Sequence, residues 1–294
     1  VLKDEVLSLL NIKKDGIYVD ATAGEGFFAE EILLNLNERG KLLLVDVDEM
    51  ACMELTKKKI FQKPNVFVRN ASYLQIPEIL KKENFGKCNG ILFDFGIGTY
   101  QLKSKRGFSF SDETCLDMRY STKTKLTARD VVNNFSQDLL IKILKEFGEE
   151  FKAKKIVRAI ISHRHKKPIE SAKELADIIS RVIPGTKRHP ATKTFQALRI
   201  FVNRELENIE NVFSFLSEIL EHCGRAVFLS YHSLEDRIVK NKLKALLKTG
   251  EFKNLTKKPI KATRTQALLN PRARSIRIRA VEKIGSDRIW GFRL

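Results

Sequence analysis

The chain has 294 residues, 43% of them hydrophobic and 31% charged, with a formal net charge of +18. That is enough for one sizeable α/β core plus a smaller second unit, in the composition range of a water-soluble globular protein. No apolar run reaches the length of a bilayer span and no secretory leader pattern opens the chain, so no membrane partner is expected; the start on Val1 instead of Met implies sequence upstream. The four cysteines (Cys52, Cys88, Cys115 and Cys223) are scattered, without a C-x-x-C pair or a histidine at ligand spacing. Neither a disulfide framework nor a metal site is expected, and the setting is a reducing cytoplasm.

In chain order, Ile17–Asp20 reads as a short apolar strand closed by a carboxylate. A glycine-containing loop follows, then a helix with Phe28, Ile32, Leu33 and Leu36 on one face. Lys41–Val45 is a second buried strand, closed by Asp46. A helix from about Asp48 to Ile60 leads through Pro64–Asn65 to a strand over Val66–Arg69. A further helical stretch precedes the strand Gly90–Asp94, which ends in Asp-Phe-Gly. This alternation predicts a parallel sheet.

From about Ser104 to Pro190 the strand signal stops. Amphipathic helical runs cover Leu139–Phe147, Lys154–Ser162 and Ser171–Val182, the last stopped by Pro184–Gly185. One long helix is expected from Thr194 to His222, then a strand over Arg225–Ser230 and a last strand over Ser275–Val281. The reading is a doubly wound, Rossmann-like α/β domain in two parts, residues 1–103 and 192–294, carrying an all-helical insertion over residues 104–191.

The charge is unevenly placed. Phe151–Lys193 holds 12 basic and 3 acidic residues, and Lys240–Lys283 holds 14 and 2, which leaves a near-neutral remainder. Two concentrated basic segments on a neutral body form a footprint for a polyanion, and nucleic acid is the expected partner. Lys154, Lys155, Arg158 and Arg164 in the first segment are expected phosphate contacts. The flanking His163 and His165 are either contacts of that kind or plain surface.

The strand-ending acids Asp20, Asp46 and Asp94, with the Ser230–His232 turn, fall along the carboxyl edge of the sheet, where doubly wound folds bind ligands. The first loop reads Asp20-Ala-Thr-Ala-Gly24-Glu-Gly26. Its glycines allow close backbone approach, and an acid closing the second strand can accept both ribose hydroxyls, so a nucleoside-containing cofactor is expected. Gly24-Glu-Gly26-Phe-Phe-Ala29 also satisfies the loose G-x-G-x-x-A dinucleotide fingerprint, which keeps an NAD-dependent oxidoreductase open. Against it, the glycines follow an acidic strand end in a D-x-x-x-G-x-G arrangement, and no hydride-transfer constellation appears.

The segments VDATAGEG, GILFDFGIGTYQL, RGFSF, LDMR, GEE, HPATKTFQALRIFVNRELENIE, SYHSLEDRIVK and NPRARS span the chain from Val1 to about Ile284. In these it resembles the bacterial 16S ribosomal RNA cytosine N(4)-methyltransferase family. The resemblance implies a class I methyltransferase sheet with a helical insertion, S-adenosylmethionine as cofactor, and 16S rRNA of the small ribosomal subunit as partner. Its target would be the exocyclic amine of a P-site cytidine.

Carried over by position, the cofactor site comprises Asp20, Gly24, Gly26, Phe27, Phe28, Asp46 on the ribose, Tyr73 beside the adenine, Asp94 and Gln101. The chain departs from the family pattern at Phe27-Phe28-Ala29, where Gly-His-Ser is usual, and at Gly98, often Ser. The first departure motivates a reading from another class, a ribosome-binding assembly factor on a degenerated methyltransferase fold.

A cytosine amine is a poor nucleophile because its lone pair is conjugated with the ring. It needs acceptors aimed at the nitrogen and in-line approach to the methyl group. Asp94 is the expected acceptor, assisted by carbonyls of the Phe95–Gly98 turn, with His232 as a second catalytic candidate facing the base. Ser233 is expected to cap the following helix, with Asp236 as its capping-box acid. Arg106, Phe108 and Arg119 are expected to grip an extruded nucleotide, and Arg272 and Arg274 of NPRARS to contact RNA.

Overall fold

The computed structural model describes residues 2–184 and 189–285, with backbone alone at Pro271 and Arg272. The chain forms two compact units, one from Val1–Gly96 with Leu206–Leu294 and one from Ile97–Glu205. The first half of the larger unit runs α1 (Lys3–Leu10), β1 (Ile17–Asp20), α2 (Phe27–Leu34), β2 (Lys41–Asp46), α3 (Glu49–Lys57), β3 (Val66–Asn70), α4 (Ile76–Lys82) and β4 (Cys88–Asp94). The expected strands all appear here. Helix α3 begins where Asp48 accepts from the Met50 N–H at 3.1 Å, which satisfies an orphan donor of the first turn.

The smaller unit holds α5 (Thr99–Lys103), α6 (Ala128–Asn134), α7 (Gln137–Gly148), α8 (Ala153–Arg164), α9 (Ala172–Val182) and α10 (Thr192–Asn203). Its helices start on Thr127, Ser136 and Ser171, whose side chains accept from the first-turn N–H groups. Leu140, Ile143 and Leu144 of α7, Ile156, Val157 and Ile160 of α8, Leu175 and Ile179 of α9, and Leu198 of α10 share one core. Helix α10, assigned from sequence to the returning α/β part, therefore packs by its apolar face within the helical unit.

The expected single helix from Thr194 to His222 is broken. Helix α10 ends at Arg204, which has a left-handed backbone (φ 53°). The Asn203 side chain donates to the Met118 carbonyl and accepts from the Tyr120 N–H, each at 2.7 Å, tying the helix end to the loop before α6. The chain continues through α11 (Glu205–Val212), α12 (Leu216–Ile219), β5 (Leu220–Ser230), α13 (Ser233–Leu247), β6 (Phe252–Asn254), α14 (Arg264–Leu269) and β7 (Arg277–Lys283). With no proline or glycine from Thr194 to His222, hydrophobic periodicity gave no warning of these breaks.

The larger unit's sheet has the order β3-β2-β1-β4-β5-β7-β6, parallel except for β7, which is antiparallel to both neighbours. Its two faces carry separate apolar clusters, one around Phe93, Phe228 and Val281, the other around Tyr18, Phe28, Leu44 and Ile278. The strand order reverses between β1 and β4, the crevice position of a doubly wound sheet. Register sharpens that crevice. Asp20 pairs with Leu44 on one side and Leu92 on the other, so β2 and β4 each run two residues beyond β1. Asp20 therefore sits in a notch flanked by the strand ends Asp46 and Asp94.

Candidate active site

The glycine loop springs from this notch and is tied to both walls. The Gly24 N–H donates to Asp46 Oδ2 at 2.8 Å, and the Asp94 N–H donates to Thr22 Oγ1 at 2.7 Å. Gly24 and Gly26 have φ of 50° and 83°, a region that L side chains rarely adopt. A Cβ at Gly26 would also lie 2.6 Å from the Phe61 ring. Asp46 Oδ1 accepts from the Asp48 N–H at 2.8 Å, so both carboxylate oxygens are oriented by backbone. A carboxylate accepts up to about four hydrogen bonds, and this orientation suits it to a diol.

Asp20 is 2% exposed and accepts from the Thr22 N–H at 3.2 Å. Burial pushes its carboxyl up to about 7; the Thr22 N–H opposes the shift, and the charges of Asp94 and Asp46 add to it. Asp94 is also pushed up to about 7 by burial, opposed by a hydrogen bond from Tyr231 and reinforced by Glu235. Asp20 and Asp94 thus converge where desolvation and neighbouring negative charge disfavour their ionisation, with Asp46 beside Asp20. A cation is the group that would relieve them.

Tyr231 had no role in the sequence reading. Its hydroxyl donates to Asp94 Oδ1 at 2.7 Å, and its N–H donates to Glu235 Oε2 at 2.7 Å. Beside it the cap of α13 differs from expectation. The N-cap is His232, whose Nδ1 accepts from the Glu235 N–H, while Glu235 reaches back to the His232 N–H, both at 3.4 Å. Ser233 is the first helical residue. Asp236 instead binds Arg277 at 3.0 Å and Arg279 at 2.8 Å, because those arginines alternate along β7 on the face that α13 covers. His232 and the fully buried Glu235 are thereby built into the turn after β5.

The remaining assigned cofactor residues divide. Tyr73 packs edge-on against Phe93 and Phe95, with ring centroids 6.0 and 6.2 Å away. Phe27 is exposed, whereas Phe28 and Ala29 are buried in the core on the first turn of α2. The Phe28 ring packs in that core, so its side chain is turned to packing. Gln101 belongs to the smaller unit, where its buried side chain folds back over Gly98; a Cβ there would lie 2.6 Å from Gln101 Oε1. That close approach accounts for the glycine at this position.

The arginines expected to grip a nucleotide are engaged by their own chain. Arg106 donates to the carbonyls of Arg119 and Tyr120 at 3.2 and 3.1 Å. Arg119 pairs with both oxygens of Asp117 at 2.7 and 2.8 Å and donates to the Thr124 carbonyl. Phe108 is buried in the helical core and stacked on Tyr120. Arg164 donates to the Val132 carbonyl at 2.7 Å, and His163 pairs with Glu174 at 3.0 Å. These residues brace the loop before α6 and the helix ends, through contacts that no local sequence pattern signals. By contrast, Lys154, Lys155 and Arg158 are exposed on the face of α8 opposite its buried Ile156, Val157 and Ile160. Arg274 is exposed, and the Arg272 side chain lies outside the described residues.

The model of the MraW methylase family matches residues 1–284. The chain belongs to that family. The ribosomal RNA small subunit methyltransferase H of Caldicellulosiruptor bescii is 42% identical over 302 residues, covering 97% of this chain and 98% of that protein. The protein of the same name from Thermosipho melanesiensis is 41% identical over 290 residues and 97% of each chain. Among solved structures, an rRNA methylase from Streptococcus thermophilus superposes with a TM-score of 0.44 at 11% identity, over 96% of this chain and 94% of that one. Family membership thus agrees with the reading made from the motifs.

Two outcomes follow from the buried acids. Asp20 has a folded-state value near 7 against 3.8 unfolded. Its stabilising contribution is full below the unfolded value and is lost as pH rises through the folded one. Asp20→Asn should therefore reduce the fall in Tm between mildly acidic and mildly alkaline buffer; an undiminished fall would show that Asp20 ionises without penalty. Tyr231→Phe removes the hydrogen bond that favours ionised Asp94, so the acidic limb of the methyl-transfer pH profile should move upward. A profile that only scales down would assign Tyr231 a packing role.

Proposed function

We propose that the chain is an S-adenosylmethionine-dependent methyltransferase of 16S rRNA, acting in the cytoplasm on the N(4) amine of a P-site cytidine in the small ribosomal subunit. The observation that carries this reading is the notch at the ends of β1, β2 and β4, with Asp20 recessed between Asp46 and Asp94. S-adenosylmethionine supplies an electrophilic methyl on a cationic sulfonium and leaves as a neutral thioether. Its ammonium and sulfonium charges fit a site with an excess of buried carboxylate. A nicotinamide dinucleotide would bring an anionic pyrophosphate to the same acids, which disfavours the oxidoreductase reading.

Within this reading, the backbone-oriented Asp46 binds the ribose hydroxyls, and Asp20 faces the cationic methionine end. Asp94, fixed by Tyr231, would accept a hydrogen bond from the cytosine amine, drawing lone-pair density onto the nitrogen, and would take the proton that the nitrogen releases on gaining the methyl group. No general acid is needed, because the departing thioether is uncharged. The departure at Phe27-Phe28-Ala29 falls on the first turn of α2, with two of its residues in the core. It leaves the loop between Asp20 and Gly26 intact, so it gives the assembly-factor reading no structural support. Arg274 and the exposed face of α8 are the candidate phosphate contacts. Among the described residues no helix is long and apolar enough to cross a membrane.

Calorimetry and single-turnover methyl transfer to unmodified small subunits separate the two acid roles. Asp46→Ala should weaken S-adenosylmethionine binding by about 10- to 150-fold, the value of one charge-assisted hydrogen bond. Asp94→Asn should lower the transfer rate more than cofactor affinity, because an amide accepts less strongly than a carboxylate. Equal losses in both would leave Asp94 a cofactor residue only, and no cofactor binding by the unaltered protein would overturn the reading.

A further inference from the structure

The smaller unit carries an aromatic ring that packing does not explain. Phe151 is 92% exposed, the highest value among the exposed large hydrophobic side chains of the described residues. It lies between α7 and α8, just after Glu149 takes a left-handed backbone (φ 48°) and turns the chain outward. A single exposed apolar residue is ordinary on a protein surface. This one has ordered, cationic surroundings. Lys193 Nζ donates to the Glu149 carbonyl at 2.8 Å and stands 4.9 Å from the Phe151 ring centroid. Lys152, which precedes α8, and Lys154, Lys155 and Arg158 on its first turns are all exposed. Two acids, Glu149 and Glu150, precede Phe151 in sequence, and Glu150 accepts from the Lys152 N–H at 2.9 Å.

An ammonium held by a helix-end carbonyl keeps a positive charge on the ring, and the exposure leaves room for a second planar group. Flanking cations at successive helical positions match a phosphate backbone. This is the pairing that single-stranded nucleic acid uses: charge along the backbone, an aromatic face under a base. We propose that Phe151 is a stacking platform for an unpaired RNA base, with Lys154, Lys155 and Arg158 on the adjoining phosphates. The inference rests on the RNA substrate of the preceding section but assigns a residue outside the cofactor notch.

The test compares binding to a short single-stranded RNA oligonucleotide and to small subunits from a strain lacking this chain, across a salt series. Phe151→Ala should weaken binding by about 5- to 150-fold at every salt concentration, the usual loss for removing one stacked base, with an unchanged salt slope. Converting Lys154, Lys155 and Arg158 together to Gln should instead flatten the slope of log affinity against log salt by about two to three units. Phe151→Trp, made with Trp290→Phe, should retain affinity and show indole fluorescence quenched by RNA, a readout that holds even where the alanine variant folds poorly. Undiminished affinity of a folded Phe151→Ala and an unquenched Phe151→Trp would overturn the proposal. If the unaltered protein bound neither RNA, the substrate reading itself would fall.

Discussion

The structure turns on the crowding of three carboxylates at the ends of adjacent parallel strands. Because β1 stops two residues short of β2 and β4, Asp20 is recessed and dry. Its neighbours contribute like charge to it. Such an arrangement is unfavourable by itself, since burying an unpaired charge costs far more than a neutral polar group. The fold tolerates it by distributing the acids' partners: backbone donors orient Asp46, the Thr22 N–H reaches Asp20, and Tyr231 holds Asp94. Under the proposed function, a cationic ligand would relieve that burial, so stability would be exchanged for function at one place.

The same distribution explains the loop chemistry. Gly24 and Gly26 permit a path that brings Thr22 to Asp94 and the Gly24 N–H to Asp46, so one turn locks three strand ends together. Phe27, Phe28 and Ala29 are carried by the first turn of the helix beyond the loop, where Phe28 and Ala29 join a core.

The parallel sheet, the helical insertion and the acidic strand ends were legible because periodicity and strand-end residues are local signals. The breaks after α10 were not. They depend on Asn203 reaching Met118 and Tyr120, a tertiary contact between residues 83 and 85 positions apart. The same limit misled the reading of charge. Arg106, Arg119 and Arg164 have the composition of a nucleic-acid grip, yet each spends donors on carbonyls or a carboxylate of its own chain. Arg277 and Arg279 claim Asp236, which leaves Glu235 to complete the cap on His232. A basic residue in a sequence states a charge, and only the fold states whether that charge still faces solvent. Lys154, Lys155 and Arg158 do, because the helical period puts Ile156, Val157 and Ile160 on the opposite face.

In the proposed function this notch serves methyl transfer to a cytidine amine in small-subunit RNA. Mass spectrometry of nuclease digests of that RNA, from a strain lacking this chain and from the same strain with the chain restored, tests it most directly. One N(4)-methylated cytidine should be lost in the first and recovered in the second. An identical pattern of modified nucleosides in both would contradict it.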